Sequence, residues 1–304
     1  MALLPLYAVS CNKSLECDWP ALTVRAEIEE VCAGEPVTFS LSGHADYISF
    51  WSGEYGSDYE HRDGREVETG WEYTMSFTSK VTKGSQKEQL SMLVSNSFDG
   101  NYLDFDDIIS SDWTDVTRRF EWASSGSPVF STAQSLVEFM DDVKPLYVAF
   151  RYRTRPQTEF GSGSNWLIGD FKISNDAGLP DNVTVYDNSN SGFRVIDPFA
   201  RTNAAANASV SQTLITMGAY DAAAAPDEPE TEYWVISRPL YKQAKVNMGP
   251  DRPVVIKNFT QPDLNEYTYV FEREGVYDVV FAASNQTIRD KKETLVKIRI
   301  SVHE

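Results

Sequence analysis

Basic residues are scarce in this chain: 27 Lys and Arg stand against 45 Asp and Glu, a formal charge of −18. Phosphate backbones are gripped by clustered Lys and Arg that release counterions, so a surface this acidic argues against nucleic acid as a partner. Peripheral binding to anionic lipid is disfavoured on the same ground. Cysteine and histidine are rarer still, with three of each. No Cys-x-x-Cys pair occurs, and His44, His61 and His303 are scattered, which removes the usual zinc-ligand spacings. The shortage of histidine also works against a Ser-His-Asp triad. No Gly-x-Ser-x-Gly elbow, phosphate-cradling Gly-Lys loop or dinucleotide fingerprint is present. The expectation is a protein with no catalytic residues, no metal and no cofactor.

The apolar run near the start, Leu3, Leu4, Leu6, Tyr7, Ala8 and Val9, is too short to span a bilayer, which takes roughly 20 apolar residues. Small residues then close up on Cys11, with Ser10 before it. This pattern resembles the hydrophobic core and cleavage region of a bacterial lipoprotein signal. In such proteins the cysteine is diacylated, and its two acyl chains anchor the mature chain to the membrane. Cys11 is therefore the expected lipidation site, with residues 1–17 a signal remnant and tether; the alternative is an ordinary apolar strand. With Cys11 acylated, Cys17 and Cys32 remain as an even pair, either a disulfide or two buried thiols.

What the chain does have is apolar and aromatic content, 41% and 12% of 304 residues, enough for a core and for two domains. Its patterning is that of strands. Val296, Ile298, Ile300 and Val302 alternate with Lys297, Arg299 and Ser301, the period of two that marks a half-buried strand. Tyr277, Val279, Phe281 and Ala283 do the same, as do Tyr73, Met75 and Phe77, and Val148, Phe150 and Tyr152; Trp166 and Ile168 open another. Turn-forming clusters such as 97–101 and 188–192 separate the runs. Helical spacing is confined to Leu136, Val137, Phe139 and Met140. Many strands with almost no helix predict an all-β sandwich architecture.

The two ends of the chain look related to each other. Residues 33–54 resemble the opening strands of a PKD-type, immunoglobulin-like domain, and residues 267–287 resemble its closing half. The resulting expectation is a discontinuous sandwich, residues 18–55 with 254–304, into which residues 56–253 are inserted. Within the insert, 112–124, 144–154 and 165–175 look like consecutive strands of a jelly-roll, galactose-binding-like module. The segments ADYISFWSGE, Arg62–Glu66, SDWTDVTRRF, VAFRYRT, EYWVISRPL and PVVIKN, with the closing strands, occur in an order that resembles one family. It is a Bacteroidetes family of surface lipoproteins carrying a domain of unknown function, often encoded beside glycan-uptake machinery. The resemblance implies an outer-membrane protein, anchored by lipid, that assists polysaccharide capture and has no catalytic residues to carry over. The segment after Cys11 leaves surface display and periplasmic retention both open.

Asp104, Asp106 and Asp107 cluster beside Asp112 and Asp115. Paired carboxylates across a cleft hydrolyse glycosides, and carboxylate oxygens also suit calcium, but a solvated acidic loop is the plainer reading. Aromatic side chains are the better candidates, because sugar rings stack on Trp and Tyr while polar neighbours bind their hydroxyls. Trp51, Trp113 and Trp234 lie in strands and read as core. Tyr55 and Tyr59 in a Gly-rich charged loop, Trp71 after Gly70, Tyr102 in a turn and Trp166 after a polar loop are the expected glycan platforms. An adhesin or structural envelope protein with a protein partner is the alternative function, and a polysaccharide-degrading enzyme a third.

Overall fold

The computed structural model describes residues 16–179 and 181–304. The initial apolar run and Cys11 lie outside the described residues. The fold is all-β, and the chain divides into two compact units, one ending at Glu66 and resuming at Asn247–Glu304, the other Val67–Val246.

The discontinuous unit is a sandwich of two sheets. Ala21–Ala26, Pro36–His44 and Glu266–Val270 form the smaller one. The larger runs in the order Val254–Lys257, Tyr47–Trp51, Gly275–Gln286, Lys291–His303 and Glu30–Cys32, the last pairing parallel to the end of its neighbour. Alternation decides which side chains face inward. Val37, Phe39 and Leu41 of one sheet meet Ile48, Phe50, Val279, Phe281 and Ala283 of the other, all buried. Phe39, Phe50 and Phe281 pack with ring centroids 5.1 to 5.8 Å apart. Full burial of each such ring contributes about 2–3 kcal/mol.

The inserted unit is a second, larger antiparallel sandwich. One sheet is ordered Asn207–Val210, Leu214–Gly218, Asn165–Asn175, Tyr73–Thr82 and Val129–Ser135, with Val183–Asp187 also on Asn165–Asn175. The other is ordered Arg194–Ile196, Thr231–Ile236, Tyr147–Thr154, Leu90–Ser95 and Thr114–Asp115. Tyr73, Met75 and Phe77 face Met92, Val94, Val148, Phe150 and Tyr152 across the core. A register shift between Gly169 and Lys172, with Asp170 at φ 49°, turns both Ile168 and Phe171 inward although they are three positions apart. The second sheet is buried on its outer side too. There Leu93, Tyr147, Ala149, Trp234 and Ile236 lie under Phe98 and the short helix Phe105–Ser110.

Three expectations are corrected. Leu136–Met140 is not a helix: after the Val129–Ser135 strand the chain makes a single turn, with Phe139 and Met140 N–H donating to the Leu136 carbonyl. Asp141 ends it by accepting from the Val143 and Lys144 amides at 2.7 and 2.8 Å. Residues 112–124 hold only the two-residue strand Thr114–Asp115, because the Met92 amide donates to the Thr117 hydroxyl at 2.8 Å instead of continuing the ladder. Residues 147–154 and 165–175 are not neighbours but belong to different sheets.

The units divide at 66/67 and 246/247 rather than at 55/56 and 253/254. Hydrogen bonds account for the difference: Asp251 N–H donates to the His61 carbonyl at 3.1 Å and Arg252 N–H to that of Gly56 at 2.9 Å. Arg65 adds an ion pair to Asp251 at 2.7 Å.

Candidate functional site

Of the five expected platforms, Trp71 and Trp166 line clefts of the insert, and Tyr59 lines one of about 430 Å³ in the discontinuous unit. Tyr55 and Tyr59 belong to the discontinuous unit, where the Arg65 and Arg62 guanidinium groups cover a ring face at 4.9 and 4.6 Å. Tyr59 is further held edge-on against buried Trp51, 5.4 Å between centroids. Tyr102 is not an open platform. Its hydroxyl donates to the Ser237 carbonyl at 2.8 Å, Arg194 lies 4.1 Å over its ring, and burial pushes its phenol up to about 12. Trp51 and Trp234 are buried and Trp113 half-buried, as core residues.

Trp71 and Trp166 do not share one surface. Trp71 lies just before the strand Tyr73–Thr82, whereas Trp166 is paired with Val81 at its far end. At about 3.4 Å per residue the two backbone positions are separated by roughly 30 Å along the strand.

Trp71 is 71% exposed and stands on the rim of a cleft of about 660 Å³. Its backbone is clamped. The fully buried Asn175 accepts from the Gly70 amide at 2.7 Å and donates to the carbonyls of Gly70 and Glu72 at 3.1 and 2.9 Å. A Cβ on Gly70 would lie 2.0 Å from the Asp176 carbonyl oxygen, so only glycine fits there. Thr69 N–H donates to the Ala244 carbonyl and the Tyr73 hydroxyl to that of Gln243, fixing the opposite wall. Lys242 on that wall pairs with Asp142 at 2.7 Å, which raises its ammonium pKa. An exposed indole on a rigid backbone beside amide, ammonium and carboxylate groups is an apolar platform with polar partners around it.

Trp166 lies between two adjoining clefts, of about 590 and 690 Å³. It meets Trp122 edge to face, 5.9 Å between centroids at 86°. Trp122 is anchored in turn by packing on Phe77 and by its indole N–H donating to the Thr117 carbonyl at 2.8 Å. The loop leading to Trp166 is fixed by two buried glutamines. Gln89 accepts from the Ser164 amide at 2.8 Å, and Gln86 donates to the Gly161 and Arg155 carbonyls at 3.0 Å while accepting from the Arg155 amide. Buried Tyr152 donates to the Ser164 carbonyl at 2.6 Å, and desolvation raises its phenol pKa strongly.

A family model described as a domain of unknown function, DUF5017, matches residues 10–193. The chain belongs to the DUF5017 family. That match takes in Trp71, Trp122 and Trp166, and it stops short of the Lys242 wall of the Trp71 cleft. No curated protein matches the chain.

The acidic cluster has local structural work. Asp104 caps the helix Phe105–Ser110 by accepting from the Asp106 and Asp107 amides, and Asp107 accepts from Asn101 at 2.7 Å. Among the described residues no group of three or more His, Cys, Asp or Glu side chains is arranged to hold a metal ion. Cys17 and Cys32 are free thiols, which corrects the disulfide reading. Lys292 donates to the Cys17 carbonyl, whereas Cys32 pairs with His303. Those contacts sit toward opposite ends of the strand Lys291–His303, roughly 35 Å apart at 3.4 Å per residue; a disulfide needs Cα atoms within about 7 Å. The sequence did not point to Asn175, Gln86 or Gln89, which position the two indoles. Asn175 and Gln89 are polar residues at the edge of an otherwise apolar run, whereas Gln86 lies within the polar stretch 83–89 and carries no signal.

Proposed function

We propose that this protein is a non-catalytic cell-envelope lipoprotein whose inserted sandwich binds extracellular glycan as an accessory to polysaccharide capture. The observation that carries this reading is Trp71, an indole 71% exposed on a clamped backbone beside a polar cleft. Exposing so large an apolar face has a solvation cost that stacking on a sugar would recover. In this reading the discontinuous sandwich is a PKD-like spacer and the insert a jelly-roll module that carries the binding face. Acylated Cys11 holds the molecule on the outer membrane, facing the exterior. No described helix is long and apolar enough to cross a membrane. Affinity electrophoresis against plant, host and microbial polysaccharides tests the proposal. Retardation by one glycan class, diminished in Trp71→Ala or Trp166→Ala, supports it; no retardation across the panel rejects it.

A second reading, an adhesin or structural envelope protein with a protein partner, draws on the edge strand Val254–Lys257. Val254 and Val255 are exposed there, as is Phe259 just beyond it. Edge strands with apolar side chains are ready templates for pairing with another chain. Pull-down from native envelopes, lost on Val255→Lys, is the outcome that would favour it.

A further inference from the structure

Arg151 is a cation without a counterion among the described residues. It stands on the strand Tyr147–Thr154 between Ser91 and Trp234 of the flanking strands, and it lines the larger of the two clefts beside Trp166. Its Nε is buried and has no hydrogen-bond partner among the described residues. Nη2 reaches only the Ser91 hydroxyl, at 3.5 Å, and Cζ lies 5.9 Å from the Trp234 ring centroid. In a chain with 45 carboxylate side chains, none forms an ion pair with this half-buried guanidinium among the described residues. A guanidinium withdrawn from water is normally paired with a carboxylate or a comparable anion.

The surroundings extend the point. Arg153, two positions along on the same face, is already engaged by Glu230 and Glu232. Arg118, on the cleft rim, is exposed and has no ion-pair partner among the described residues. Glu88 and Asp115 also line the cleft, and Asp115 is occupied in accepting from the Thr117 amide at 2.9 Å. Two uncommitted guanidinium groups thus share a cleft with the Trp122–Trp166 pair, on a protein whose net charge is −18.

We infer that the Trp166 cleft takes an anionic sugar, with its acid group on Arg151 and Arg118 and its ring against Trp166. The inference rests on the glycan-binding reading and adds the ligand class. Arginine presents a planar fork of N–H donors that matches carboxylate or sulfate oxygens two at a time, which gives both charge and orientation. A neutral sugar would leave the Arg151 charge as it is.

Intrinsic tryptophan fluorescence of the full-length protein reads the test. The probes are a galacturonate tetramer, the same tetramer fully methyl-esterified, and a sulfated galactan oligosaccharide without carboxylates; a neutral glycan panel runs in parallel. The expected result is binding of the galacturonate or the sulfated probe, at least about tenfold weaker for the methyl ester and weakened by salt. Binding of the carboxylate probe alone assigns a uronic acid, and of the sulfated probe alone a sulfated glycan. Arg151→Gln should lower affinity about tenfold or more, and the exposed Arg118→Gln, which cannot disturb the core, by several-fold. Measurable and equal binding of the acid and its methyl ester, binding of neutral glycans alone, or unchanged affinity in both variants overturns the inference and leaves neutral glycan binding standing. Failure of every glycan, neutral ones included, overturns the glycan reading itself.

Discussion

Arg65 donates from Nε and Nη2 to the two carboxylate oxygens of Asp251, at 3.0 and 2.7 Å, across 186 positions of sequence. The inserted sandwich lies between them in the chain, and both belong to the discontinuous unit. Asp251 is 5% exposed and its Oδ2 also accepts the Asp58 amide at 2.9 Å. Removing one partner strands the other charge, so Arg65→Ala should destabilise this unit by about 3 kcal/mol. Chemical denaturation followed by circular dichroism measures it.

The same pair sets a pH dependence. Burial pushes the Asp251 carboxyl up, but hydrogen bonds from Arg65 and the Asp58 amide, with the Arg65 charge, outweigh it and hold the group below its ordinary value. A depressed carboxyl contributes stability that is complete above the unfolded pKa, about 4, and is lost as pH falls through the folded one. The melting-temperature gap between wild type and Asp251→Asn should therefore be full at pH 6–7 and should narrow steadily below about pH 4. A gap that stays constant down to about pH 2.5 would count against this assignment.

Asn175→Ala removes three hydrogen bonds around Trp71 and leaves backbone groups of Gly70 and Glu72 unsatisfied. A loss of about 2–4 kcal/mol is expected, with faster amide exchange at Gly70. Gly70→Ala should be at least as damaging, since its new methyl meets the Asp176 carbonyl.

Reductant should leave the melting temperature unchanged, because Cys17 and Cys32 are not joined. Desolvation and the neighbouring Asp290 carboxylate push the Cys17 thiol pKa up, and Cys32 is exposed. Iodoacetamide should therefore modify Cys32 first, as peptide mass mapping can follow.

Much of the fold was legible because a strand with one buried face writes its period directly into the sequence. Tyr73, Met75 and Phe77 face inward as their spacing requires, and so do Val279, Phe281 and Ala283. Leu136–Met140 misled because a single turn packs Leu136, Phe139 and Met140 against the core at helical spacing, while Val137 stays exposed. The sites were half legible. Trp71 and Trp166 follow turn residues, and the structure places both at clefts. Tyr102 also follows a turn, yet the Arg194 side chain, distant in sequence, closes over it. Arg151 carried no signal, since its lack of a carboxylate partner is visible only when the neighbouring strands are in place.

Calorimetric titration of wild type, Trp71→Ala and Trp71→Phe with the polysaccharide that retards the protein most is the decisive test of glycan capture. Trp71 is so exposed that neither change should alter the fold. Binding at least about tenfold weaker is expected for Trp71→Ala, with most affinity retained by Trp71→Phe because a stacking face survives. Wild-type affinity in Trp71→Ala would rule out the indole as the binding platform.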